Sequence, residues 1–122
     1  MCKEHQQIFA SAARTAVATA TVPIESPQGM FFIDMTPLTA GASITFTISG
    51  ICPSDASTAY TILTSAAITA TGLTVLRVSP HLMAATNETA KDLLPAAIKV
   101  SVAVADTKSV TYSMTFVGCE GD

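Results

Sequence analysis

The 122-residue sequence contains no tryptophan, two tyrosines and few charges, Asp, Glu, Lys and Arg making up 12% of it, about half the roughly 25% usual in soluble domains. Basic residues are scarcest. Six Lys and Arg against nine Asp and Glu leave a net charge of −3 and an isoelectric point near 5.1. No basic cluster could track a phosphate backbone, which argues against a nucleic-acid partner. Long apolar runs are also missing. The stretch 30–33 is typical of those present, whereas a helix spanning a bilayer needs about twenty such residues, so no membrane partner is expected. The opening Met1-Cys2-Lys3-Glu4-His5-Gln6-Gln7 lacks the basic and then apolar pattern of a secretory signal, and Arg14 interrupts the Ala-rich stretch after it. Synthesis in the cytoplasm without export is the expectation.

Reactive groups are just as sparse. Proton-transfer and nucleophilic catalysis need groups held on rigid elements in environments that tune their pKa, and the two histidines do not offer this. His5 lies in the terminal segment and His81 directly follows Pro80 at a strand exit. There is no GxSxG, HExxH or glycine-rich phosphate loop, and a Cys52–His81 pair carries no motif. The chain reads as a non-enzyme without a cofactor. Its three cysteines, Cys2, Cys52 and Cys119, cannot all pair within one chain and lack the spacing of a zinc knuckle or redox CxxC. In a reducing cytosol they are thiols. In an oxidising medium, Cys2 and Cys119 in the terminal segments, together with Cys52, are candidates for disulfides between subunits. Asn87-Glu88-Thr89 matches a glycosylation sequon, but without a signal peptide the match reads as chance.

What the sequence has in abundance is aliphatic and hydroxyl side chains. Hydrophobic residues make up 49%, with 18 Thr and 11 Ser, and the mean hydropathy is +0.49. A domain of this size buries only about two thirds of the surface its unfolded chain exposes, so Thr and Ser must coat much of the rest. Such a coat repels neighbouring molecules less than Lys or Glu would. Much of the surface is therefore expected to meet other protein chains.

Apolar and polar residues alternate with period two along most of the chain, on β-branched and aromatic residues, as in half-buried strands. Strands are expected over residues 14–22, 30–36, 44–49, 60–64, 73–78, 98–104 and 110–116. The second reads as buried on both faces, because Met30 and Phe32 oppose Phe31, Ile33 and Met35. Residues 50–57 read as a loop, and the last two strands as a hairpin turning at Asp106-Thr107-Lys108. Alternation vanishes across 80–95, a long excursion in which Asn87 could cap one short helix over the following residues.

About seven short strands with nothing helical of useful length predict an all-β fold, an antiparallel two-sheet β-sandwich of jelly-roll or Ig-like type. A partly open β-barrel is the alternative. The expected organisation is an N-terminal arm over 1–10, a single sandwich domain over 11–117 and a C-terminal tail over 118–122. Ile8-Phe9 forms an apolar hook in the arm, a candidate for docking on a neighbour. Asp34, Arg77 and Lys99 interrupt apolar or hydroxylic strands, and cross-strand ion pairs would make their burial tolerable.

Taken in order, Ser11-Ala12-Ala13-Arg14-Thr15, Phe32-Ile33-Asp34-Met35-Thr36, Ile44-Thr45-Phe46-Thr47-Ile48-Ser49-Gly50, Tyr60-Thr61-Ile62-Leu63-Thr64-Ser65-Ala66-Ala67-Ile68, Thr74-Val75-Leu76-Arg77-Val78-Ser79-Pro80, Leu94-Pro95 and Val110-Thr111-Tyr112-Ser113 resemble a family of small virion structural proteins of tailed bacteriophages. The resemblance covers 11–117. It departs at His81, where relatives tend to have glycine, and at Ala97-Ile98, where an aromatic often precedes the basic residue at Lys99. The resemblance implies a protein made in the host bacterial cytoplasm and located in the virion, without enzymatic activity. The expected role is a capsid decoration (cement) protein, a homo-oligomer with a trimer favoured, that binds the major capsid protein. The alternative is a neck, collar or tail ring component contacting neck or tail proteins. A carbohydrate- or receptor-binding sandwich is disfavoured by the lack of Trp and the paucity of Tyr, since sugar faces are commonly met by aromatic platforms.

Overall fold

A computed structural model describes residues 2–52, 54–104 and 109–119. It contains strands β1 (Cys2–Arg14), β2 (Ala18–Pro23), β3 (Gln28–Leu38), β4 (Ile44–Cys52), β5 (Asp55–Thr64), β6 (Gly72–Val78), β7 (Thr89–Ala90), β8 (Ala97–Val104) and β9 (Val110–Cys119). Two sheets pack face to face, one ordered β1-β9-β3-β6-β7 and the other β2-β8-β4-β5. Every pairing is antiparallel except the two-residue β6–β7 contact. The architecture is the expected two-sheet sandwich, and neither sheet closes into a barrel.

Strand order distinguishes between the two sandwich types. β1 pairs with β9, β2 with β8, β3 with β6 and β4 with β5, as if one long hairpin had been rolled up with its two ends side by side. That is the double Greek key of a jelly roll. The short β7 is an addition to it, on the edge of β6.

The core follows from alternation. On β4, Ile44, Phe46 and Ile48 point inward and are fully buried, while Thr45 and Thr47 are half-buried on the other face. On β9, Val110, Tyr112, Met114 and Phe116 do the same from the opposite sheet. Phe46 and Tyr112 meet edge to face across the layers at 5.1 Å between ring centroids, a geometry that adds to simple area burial. Phe31 and Phe116 form a second aromatic contact within the five-stranded sheet at 4.8 Å. Each such side chain is worth about 1.5–3 kcal/mol relative to exposure.

The structure differs from the sequence reading in several places. β8 and β9 do not form a hairpin: they belong to different sheets, and the turn expected at 106–108 lies outside the described residues. Two adjacent alternating strands look alike whether the chain folds back within a sheet or crosses to the facing one. The segment 87–92 is not helical. Asn87 adopts a positive φ of 63°, the Glu88 amide donates to the Ala85 carbonyl, and the chain runs on into β7, where the Ser79 amide donates to the Ala90 carbonyl at 3.0 Å. The expected loop over 50–57 is much shorter, because Cys52 and Asp55 are already paired. Leading residues 2–14 are not an arm but the edge strand β1, and β9 extends to Cys119, so the expected boundaries at 10 and 118 both fall inside paired strands. β3 is buried on one face only, with Met30 and Phe32 half-buried and Asp34 exposed on the other.

Candidate interaction surfaces

Ile8 and Phe9 are 9% and 7% exposed and belong to the chain's own core, so they do not form a hook for a neighbour. The Phe9 ring meets Tyr112 edge to face at 5.7 Å. β1 reaches this position through register shifts between Gln7 and Phe9 and between Phe9 and Ala12, irregularities of the kind that re-aim side chains at sheet edges. Arg14 closes this end of the strand. Its guanidinium lies 4.5 Å from the Tyr112 ring centroid and 5.4 Å from that of Phe9. It also donates to the carbonyls of Ala10 at 2.7 Å and of Ala12 and Tyr112 at 3.1 Å. Planar stacking and a fork of donors make arginine the side chain for this task.

At the other end of β1, Glu4 clamps the strand to the connection between β2 and β3. Its carboxylate accepts from the Glu25 amide at 3.1 Å, the Ser26 amide at 2.9 Å and the Gln6 side chain at 2.7 Å. Gln6 Nε2 also donates to the Pro23 carbonyl at 2.7 Å. Burial pushes the Glu4 carboxyl up, but hydrogen bonds from Gln6, Ser26 and Glu25 outweigh it and hold the group below its ordinary 4.5. Sequence reasoning missed both Glu4 and Arg14. Their partners lie up to 98 residues away, and nothing local marks the pairing.

The candidate ion-pair residues are not brought together. Asp34 opposes Leu73 and Ser113, Arg77 opposes Met30 and Thr89, and Lys99 opposes Thr21 and Ser49. Asp34 and Arg77 share the outer face of the five-stranded sheet but stand four residues apart, about 13 Å along the strands. Both are exposed, and Lys99 is half-buried in the other sheet. None of the three is in the core, so none requires an opposite charge there.

Cys2 and Cys119 are opposed in the β1–β9 ladder, and Cys119 is disulfide-bonded. A disulfide at Cys119 within this single chain takes the place of the expected link from that residue to another subunit. Cys52 is a half-buried thiol on β4, with Sγ 3.3 Å from Ser54 Oγ. His5 and His81 are exposed. Among the described residues no three of His, Cys, Asp and Glu gather as metal ligands, and no helix is long and apolar enough to cross a membrane. Asn87 of the sequon is half-buried and donates from Nδ2 to the Thr64 carbonyl at 2.9 Å, tying the 80–95 excursion to β5.

Three kinds of surface remain available for binding. The first is the outward edges of β1, β2 and β5, rows of backbone donors and acceptors that another strand could complete. The second is a shallow groove of about 440 Å³ between β5 and the excursion, lined by Thr61, Thr64, Asn87, Lys91 and Asp92 among others. The third is the outer face of the five-stranded sheet, where Met30, Phe32, Val75 and Val117 are half-buried and Leu73 is 63% exposed.

The arrangement defines a jelly-roll sandwich whose described surface is built of edges and hydroxyl-rich faces. Comparison with protein-family models, curated proteins and solved structures finds no match to this chain.

Proposed function

We propose that the chain is a structural protein of a tailed-bacteriophage virion, a capsid decoration protein that binds the assembled head through the major capsid protein and through its own copies. The observation that carries this reading is the pairing of a complete, well-packed jelly-roll core with outer faces almost empty of charge. On β2, Thr19 and Thr21 are exposed; on β9, Thr111, Ser113 and Thr115 are half-buried. Such faces do not repel a neighbouring protein by charge, and their hydroxyls can be covered where that neighbour supplies hydrogen bonds, at far less cost than ionised groups. Jelly rolls recur in viral capsids and in lectins alike, so the fold is compatible with the role without implying it.

The mechanism is linkage. A copy that binds the assembled shell and not its dissociated subunits stabilises the shell by mass action, and many weak contacts sum over a lattice. Binding rather than catalysis is the activity, and no cofactor enters it.

Gold-labelled antibody on intact particles, viewed by electron microscopy, tests the reading. Label over the whole head is the expected result. Label confined to the neck or tail overturns decoration in favour of a ring component, and unlabelled particles overturn the virion reading altogether.

A further inference from the structure

On the outer face of the five-stranded sheet, three cross-strand pairs follow one another along β3 and β6: Met30 with Arg77, Phe32 with Val75, and Asp34 with Leu73. The centre of this patch is apolar, and its two charges, of opposite sign, stand at opposite ends of a diagonal through the Phe32–Val75 pair. Val117 of β9 extends the apolar centre beside Met30. Beyond the Arg77 end lies a hollow of about 290 Å³ lined by Gln28, Gly29, Met30, Arg77 and Leu82 among others. Leu73, at the Asp34 end, projects with 63% of its surface exposed.

This pattern is self-complementary. A half-turn about an axis lying between two such faces, and perpendicular to the Asp34–Arg77 diagonal, exchanges the two ends of that diagonal. It sets Asp34 of each copy against the partner's Arg77 and stacks the apolar centres on each other. We infer that this face is a two-fold contact between copies of the chain, held by an apolar centre and two reciprocal Asp34–Arg77 pairs. An isologous contact requires one patch that complements itself. Opposite charges that are too far apart to pair within the chain, yet are exchanged by a half-turn, supply that property.

The area is modest. The three strands β9, β3 and β6 at about 4.8 Å spacing and seven residues at about 3.3 Å give a footprint of roughly 330 Å² per copy, below the roughly 1,000 Å² in total of a stable specific interface and in the range of a weak, transient one. The expected association is reversible, detectable at tens of micromolar, and weakened by salt because the pairs lie at the rim. The contact is a property of the purified chain and stands apart from the virion reading. It predicts a dimer of the purified chain, where the sequence reading favoured a trimer.

Sedimentation equilibrium of the purified protein at tens of micromolar tests it, using wild type, Asp34→Arg, Arg77→Asp and the double exchange. Wild type is expected to form dimers, each single variant to associate at least about ten-fold more weakly, and the double exchange to recover association to within a few-fold of wild type. Both side chains are exposed, and unchanged circular dichroism and Tm show that each variant folds. A wild-type monomer or trimer, single variants that dimerise normally, or a double exchange as weak as the singles overturns the inference.

Discussion

At Glu4, donors from three residues converge on one carboxylate and hold its pKa below 4.5, so its contribution to stability has a defined direction in pH. A carboxyl whose folded pKa is lower than its unfolded one stabilises the fold above the unfolded value and loses that contribution as pH falls through the folded pKa. Thermal melts of wild type and Glu4→Gln are therefore expected to differ near neutral pH, with the variant less stable, and to converge as the pH falls below the lowered pKa of the folded carboxyl. A difference that persists unchanged into acid would assign the loss to packing instead. Tyr112 is the opposite case. Its hydroxyl is buried without a hydrogen-bond partner among the described residues, and burial raises its pKa above 10.0, with Arg14 opposing the shift. An unsatisfied buried hydroxyl costs roughly 1–3 kcal/mol, so Tyr112→Phe is expected to gain about 1 kcal/mol in chemical denaturation. The raised pKa gives wild type a contribution that is complete below about pH 10 and lost as pH rises through the folded value. The Phe variant lacks that alkaline loss. A less stable Phe variant would mean that the hydroxyl has a partner after all.

Among the elements, β1 was the least legible in the sequence. Its alternation is broken by the bulges around Phe9, and without a regular period nothing separates an edge strand from a loose terminus. Its role in the fold can be measured directly. Phe9→Ala is expected to cost about 3–5 kcal/mol in the isolated protein, the usual range for truncating a core aromatic; a docking arm that acted only on a neighbour would leave the Tm unchanged. The opposition of Cys2 and Cys119 belongs to the same ladder. Oxidised protein is expected to run as a monomer on a non-reducing gel, with Cys52 open to thiol reagents and Cys119 protected until reduction, and disulfide-linked dimers would contradict a bond within the chain. Strands β4, β6 and β9 were readable because each buries one face and shows the other a hydroxyl row or open solvent, a contrast that period two records. The mistaken hairpin and helix have a common cause. Local pattern carries no information on which sheet receives β8, and the fate of Asn87 was decided by a carbonyl on β5 that its side chain reaches.

For the whole molecule, the two-sheet sandwich followed from composition and periodicity, whereas the jelly-roll order did not, since pairing β1 with β9 joins the two ends of the chain. The surfaces were less legible than the core. Asp34 and Arg77 drew notice as charges within strands, but a structural ion pair was the wrong reason, because they lie on the outer face and out of register with each other. Asp34→Ala in the monomer is accordingly expected to change stability by less than about 0.5 kcal/mol, as for exposed sites generally, and a larger loss would restore a structural role. The low charge, the hydroxyl coat and the exposed edges fit a protein that works by covering and being covered. The most direct test is to titrate purified protein onto particles that lack it, and to follow both the number of copies bound and the melting of the shell. The account predicts saturation at hundreds of copies with a rise in shell Tm. Binding of about a dozen copies or none, with shell stability unchanged, would contradict it.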